Sequence, residues 1–153
     1  MVSVRVQAGP FDTGAEIAAL LDGRTDIGGL GCFVGTVRAS PPGEPPLLAL
    51  TLEHYPAMTQ RAMEAIAAEA ERRWSLLGCT LVHRFGRLIP GDGIVLVLAT
   101  APHRAAALEA TAFLIDWLKT KAPFWKQEEF ANGAAHWVAA READDTAALR
   151  WQQ

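Results

Sequence analysis

Three side chains stand out for the chemistry their type and placing allow. Lys119, Lys121 and Lys126 are the only lysines among 14 basic residues, and all lie within one short segment. Residues 102–122 read as a helix that stops before Pro123. On a wheel of about 100° per residue, Ala105, Leu108, Ala112, Ile115, Leu118 and Ala122 form an apolar stripe, and Lys119 falls inside it. An amine on such a stripe loses hydration, which lowers its pKa toward that of a nucleophile or general base. Lysines also suit helix C-termini, and their stems snorkel past apolar neighbours, so the wheel leaves both readings open for Lys119. Lys121 points nearly the opposite way, to solvent. The proline break sends Lys126 out on a differently directed backbone, from which it can converge with Lys119 on one pocket. Phe113, Leu114 and Trp117 make a second apolar sector on the same helix, suited to a subunit interface or to a thicker core.

A second group of residues could bind an anion. Thr100-Ala101-Pro102-His103-Arg104 lies where a strand meets a helix N-terminus, whose free N–H groups and dipole favour a phosphate or carboxylate. His103 and Arg104 would add donors there, though a capping His and a solvated Arg explain them equally well. Arg38 follows a strand and precedes a proline-rich loop, placing it at a mouth. His83-Arg84 falls within a strand and reads as structural. There is no phosphate loop, dinucleotide fingerprint or Ser/His/Asp arrangement.

These residues need a scaffold to position them. Alternating Val2, Val4 and Val6 predict a strand, and Asp12 or Thr13 can cap a helix to about residue 22. Residues 28–38 read as a strand whose glycines suggest a bulge or the close approach of another backbone. Residues 40–46 (SPPGEPP) predict a mobile loop. A strand over 47–55 leads into a long helix from Pro56 to near Gly78. Strands follow over 80–85 and 94–100, joined by a turn at 90–93, then the lysine-bearing helix. A strand over 125–130, an Asn132-Gly133 turn, a strand over 136–139 and a tail over 141–153 with a last helix complete the chain. The order β-α-β-β-α-β-β-α-β-β, with paired strands between helices, predicts an α+β fold: a mostly antiparallel sheet with helices packed on one face.

Composition narrows the function. The 153 residues suit a single domain, spanning 1–153, and 50% hydrophobic with 20% charged residues argues against disorder. A net charge of −3 offers no electrostatic case for nucleic-acid binding. No apolar run approaches the roughly 18–20 residues of a membrane helix, and the N-terminus lacks a signal-peptide layout, so a cytoplasmic location is expected. Cys32 and Cys79 fit no disulfide framework or zinc knuckle, and His54, His83, His103 and His136 show no metal-ligand spacing. Neither metal nor cofactor is expected.

In this order, the segments FVGTVR (33–38), LTLEHYPAMT (50–59), HRFGRLIPGD (83–92), PHR (102–104), LKTKAPFWKQE (118–128) and WVAARE (137–142) resemble the large, catalytic subunit of molybdopterin synthase. The resemblance implies a hammerhead-like α+β subunit that forms a homodimer and carries a small ubiquitin-like partner at each end, a heterotetramer. The partner's C-terminal Gly-Gly thiocarboxylate would supply sulfur to cyclic pyranopterin monophosphate (precursor Z), forming the dithiolene of molybdopterin. It maps catalytic roles onto Lys119 and Lys126 and anion binding onto Arg38, His103 and Arg104, with Arg141 contributed across the dimer. The loop SPPGEPP departs from the polar, Asn-containing loop of relatives. The segment between Glu128 and Trp137 is individual to this chain. Two other classes compete: a non-catalytic module sensing a phosphorylated metabolite, and a scaffold that only docks a ubiquitin-like tail.

Overall fold

The computed structural model describes residues 1–138 and 142–152. Its elements run β1 (Val2–Gln7), α1 (Thr13–Leu21), β2 (Gly29–Thr36), β3 (Leu47–His54), α2 (Pro56–Trp74), β4 (Gly78–Arg84), β5 (Gly86–Leu88), β6 (Gly93–Ala101), α3 (Arg104–Lys121), β7 (Phe124–Phe130), β8 (Ala135–Trp137) and α4 (Glu142–Leu149). The fold is α+β, as expected, but the strands form two four-stranded sheets rather than one, in the orders β1-β4-β6-β2 and β5-β3-β7-β8. The second is wholly antiparallel, and in the first only β1 and β4 run parallel.

Strands β4 and β6 are central and buried along almost their whole length. Period-two alternation sends Leu81, Val95 and Val97 to one face, under α2 and α3, and Val82, Leu96 and Leu98 to the other, under Ile17 and Leu20 of α1. Helices therefore cover both faces, not one. Each long helix has a distinct end. Asp12 caps α1, its carboxylate accepting from the Ala15 N–H at 3.0 Å. Helix α2 stops at Trp74, earlier than expected, because Ser75 turns left-handed at φ 49° and frees Gly78 to begin β4. The three-residue β5 escapes sequence reading because it opens on Gly86, a break at φ +92°, and is too short for periodicity.

Helix α3 buries a different face from the one its alanine-rich sequence suggests. Ala107, Ala110, Thr111, Phe113, Leu114 and Leu118 are buried, while Leu108 of the expected stripe is 60% exposed. Backbone approach decides this. At Gly31 of β2 an added Cβ would lie 2.6 Å from the Ala107 carbonyl oxygen and would also collide with the Thr111 hydroxyl. A glycine strand lets the helix backbone come close and captures the Ala107–Thr111 face. The bulge the glycines suggested is also present, between Gly35 and Thr36.

The second apolar sector of α3 belongs to a thicker core. Phe113 packs on Trp74, Trp117 and Trp151 at centroid distances of 5.2, 4.5 and 5.7 Å, with the Arg73 guanidinium 4.9 Å over its ring. The C-terminal segment is fastened to α3 through Asp116, which accepts from Arg150 Nη2 and Trp151 Nε1, each at 2.7 Å.

Gly31→Ala should therefore overpack the α3–β2 contact and lower stability by about 1–3 kcal/mol, read as a reduced urea midpoint. An unchanged midpoint would mean that α3 shifts freely on β2.

Candidate functional site

The site lies where the two sheets meet, beside the C-terminus of α3. Lys119 occupies the last turn of that helix and is exposed; of the expected stripe, Ala105 and Leu108 face outward, whereas Leu118 is buried beside Lys119 and Ile115 and Ala122 are half-buried. Lys121, on another side, is also exposed, with its ammonium 4.8 Å over the Trp117 ring. The chain then breaks. Ala122 leaves helical geometry at ψ 125°, and its carbonyl accepts from the Phe124 N–H at 3.0 Å across Pro123. The fully buried Thr59 of α2 donates its hydroxyl to the Pro123 carbonyl at 3.0 Å, fixing the direction of departure.

Strand β7 follows at once. Lys126 stands opposite Leu52 of β3, and its carbonyl accepts from the Val138 N–H at 2.8 Å. Alternation puts Phe124, Lys126 and Glu128 on one face of this strand. That face meets a small apolar core of Val37, Leu52, Leu88 and Ile94, which joins the sheets. Arg38 leaves the end of β2 just beyond. Val37 is buried and pinned to the turn at 90–92: its N–H donates to the Asp92 carbonyl at 2.9 Å and its carbonyl accepts from the Gly91 N–H at 2.8 Å. The motif HRFGRLIPGD thus serves to hold the base of Arg38.

Lys119, Lys126 and Arg38 line a single open groove of about 790 Å³. Its walls include Phe33, Val34, Leu47, Leu50 and Val138, and one carboxylate, Glu128, faces the three cations. Such a groove can hold an anion beside two amines and rest a ring or an extended chain on its apolar wall. Glu128 went unselected from sequence, although its spacing of two from Lys126 in a strand signals a shared face.

Not every expected residue joins them. His103 caps the far end of α3 with its side chain making no capping bond, and both it and Arg104 are exposed. Sixteen residues of helix separate His103 from Lys119, roughly 24 Å at 1.5 Å per residue, so one chain does not bring them to the groove. Arg141 lies outside the described residues, as does the end of the strand expected over 136–139. Among the described residues no cluster of His, Cys, Asp or Glu could hold a metal. Burial pushes the Cys79 thiol up to about 12, and the exposed Cys32 is also raised by desolvation. Neither lines the groove.

Next to the lysines lies a ladder of flat rings. His83, buried at the end of β4, stacks on Phe124 at 3.7 Å and 17°; His54 stacks on Phe124 at 5.9 Å and meets Phe85 at 4.6 Å. His83 Nδ1 is 2.9 Å from the Arg84 carbonyl, which can only accept, so Nδ1 carries the proton of a neutral ring. Burial pushes His83 down to about 3, helped by the charges of Lys119, Lys126 and His54.

Fold and groove together define an α+β protein with an anion-ready cleft and paired amines at the junction of two sheets. The comparisons make the class specific. Residues 6–121 match the family model described as MoaE protein, and the chain belongs to this family. It is 49% identical over 151 residues to the molybdopterin synthase catalytic subunit of Mesorhizobium japonicum, covering 98% of this chain and 93% of that protein. To the protein of the same name from Escherichia coli it is 46% identical, covering 99% and 100%. The molybdopterin biosynthesis MoaE protein from Burkholderia ambifaria superposes with a TM-score of 0.83 at 48% identity, over 100% of this chain and 99% of that one. No helix among the described residues is long and apolar enough to cross a membrane.

The buried neutral imidazole carries a pH signature. Below its ordinary value of 6.5 the unfolded chain protonates His83 while the folded chain, with its value near 3, does not. The unfolded state then binds more protons, so stability falls as pH falls through that window. From pH 7.5 to 4.5 the loss through this group should be roughly 2–3 kcal/mol, measured by urea unfolding. In His83→Phe this share should vanish, and equal losses in both proteins would overturn the assignment.

Proposed function

We propose that this chain is the catalytic subunit of a molybdopterin synthase, a sulfurtransferase. Sulfur comes from the C-terminal Gly-Gly thiocarboxylate of a small ubiquitin-like carrier. It is delivered to cyclic pyranopterin monophosphate (precursor Z) in two transfers, with opening of the cyclic phosphate, to build the dithiolene of molybdopterin. The observation that carries this reading is the convergence of Lys119, Lys126 and Arg38 on one groove with an apolar wall, in a chain whose full-length relatives bear that catalytic name.

The groove's chemistry suits the reaction. Arg38 is placed to hold the cyclic phosphate with charge-assisted hydrogen bonds. Phe33 and its apolar neighbours offer a surface for the pterin ring and for an extended glycine tail. Lys119 serves as acid or base at the reacting centre, or attacks the carrier's terminal carbonyl, and Lys126 stabilises the negative charge that develops there. No thiol of this chain is required, since sulfur arrives on the carrier; both cysteines sit away from the groove. The same reading places the protein in the cytoplasm, where two unpaired thiols are at home.

The site also calls for a second copy of the chain. His103 and Arg104 belong to the anion-binding set of this reading, yet lie a helix length from Lys119. In a homodimer at the centre of a heterotetramer, each groove would take its lysines and Arg38 from one protomer and His103, Arg104 and Arg141 from the other.

Purified chain, thiocarboxylated carrier and precursor Z should together yield dithiolene product, with none when the carrier ends in an ordinary carboxylate. Lys119→Ala and Lys126→Ala should each lower kcat by about 100-fold or more, whereas Arg38→Ala should act mainly on KM. Pterin binding without turnover would favour a sensor, and carrier binding without pterin affinity a scaffold. Mixing inactive Lys119→Ala and Arg104→Ala chains should restore about one quarter of wild-type activity, because half the dimers are mixed and each has one intact site. No recovery on mixing would rule out the shared site.

A further inference from the structure

The two lysines of the groove are not joined by one rigid element. Lys119 lies in the last turn of a helix, Lys126 is the third residue of a strand, and the break at Ala122-Pro123 lies between them. A helix end followed by a proline has a wide choice of directions, so something outside this stretch must set the spacing of the two amines. Two contacts do so. The Thr59 hydroxyl holds the Pro123 carbonyl from below. Phe124 is held by two imidazoles, with His83 stacked at 3.7 Å and nearly parallel and His54 at 5.9 Å from the same ring.

His83 is an unusual choice for this work. A leucine or phenylalanine would fill the same buried space on β4 at no polar cost. The imidazole satisfies its one donor inside the core by giving its Nδ1 proton to the carbonyl of its neighbour Arg84 at 2.9 Å, which adds to the packing that already orients the ring on β4. The central sheet thereby becomes the reference against which Phe124, and the strand it starts, is aligned. The ring must also stay uncharged, because both groove ammonium groups lie near enough to act on it.

We propose that His83 is a positioning residue for the sulfur-transfer site: stacked on Phe124 as a flat, uncharged ring, it sets the distance between Lys119 and Lys126. It does not line the groove. The proposal rests on the synthase reading for its effect on rate, but its geometric content can be tested without turnover.

The test compares His83→Ala, which removes the ring, His83→Asn, which keeps a donor for the Arg84 carbonyl without the ring, and His83→Phe, which keeps a flat ring without charge. Displacing one amine should lower kcat about 10-fold in the Ala and Asn proteins, since small misplacements of reacting groups are costly. KM for precursor Z should stay within about twofold, because Arg38 is held separately by the 90–92 turn. His83→Phe should retain kcat within about threefold of wild type. Reductively 13C-methylated lysines provide the second readout. The Lys119 and Lys126 resonances should move from their wild-type positions in the Ala and Asn proteins, with that of Lys121 unchanged, and hold their positions in His83→Phe. Phe124→Leu removes the same stack from its other side and should reproduce the Ala phenotype. Combined with His83→Ala it should add little, the mark of one shared interaction. Wild-type kcat with unchanged lysine resonances in His83→Ala would overturn the proposal, as would a Phe protein as impaired as the Ala protein in both readouts. If His83→Ala does not fold, the Asn and Phe124→Leu proteins decide by the same two readouts. If the wild type shows no turnover, the synthase reading fails, and the lysine resonances alone still decide the role of His83.

Discussion

The groove depends on how the chain turns at Pro123. A proline-ended helix can leave in many directions, and the two amines meet only if it leaves in one. The direction is imposed by a buried hydroxyl from α2, Thr59 on the Pro123 carbonyl, and by the ring ladder that seats Phe124 against the central sheet. Thr59 and His83, which supply these anchors, are buried, where a hydrogen bond and a ring contact are hardest to give up. The placing of the two lysines is thus governed in part by buried groups, Thr59 and His83.

The central sheet earns this role by its own burial. Strands β4 and β6 are covered on both faces, α2 and α3 on one side and α1 on the other. Sheet and helices together make a frame to which the more open second sheet is attached through a small core of Val37, Leu52, Leu88 and Ile94. That core and the groove occupy the same junction. The groove sits at the seam because the seam is where side chains from the end of β2, the end of α3 and the start of β7 can face one another without being buried.

Much of this frame was legible in the residues. Asp12 before an apolar run, Pro56 opening a helix, and Pro123 closing one each act through local backbone chemistry, so each marks its boundary without reference to the rest of the chain. The glycines of β2 signalled both a bulge and a close backbone approach, and both occur. Legibility failed where several answers were locally equivalent. Alanines lie all around α3, so period alone could not say which face is buried; Gly31, far away in sequence, decided for Ala107 and Thr111. Strand β5, three residues that open on a positive-φ glycine, has no period to detect. His83 read as merely structural because stacking on Phe124 joins residues 41 positions apart.

Sequence alone determined which groups are available: three lysines in one segment, an arginine at a strand end, a His-Arg pair at a helix start, and the breaks between the elements that carry them. These follow from residue type and neighbours within a few positions. Only tertiary structure decided which of them meet. It joined Lys119, Lys126 and Arg38 in one groove, turned Lys121 away, and left His103 and Arg104 at the distant end of α3. The reason is that convergence is set by long-range packing of a helix on a strand and of one sheet on another, where distance along the chain has no bearing on distance in space.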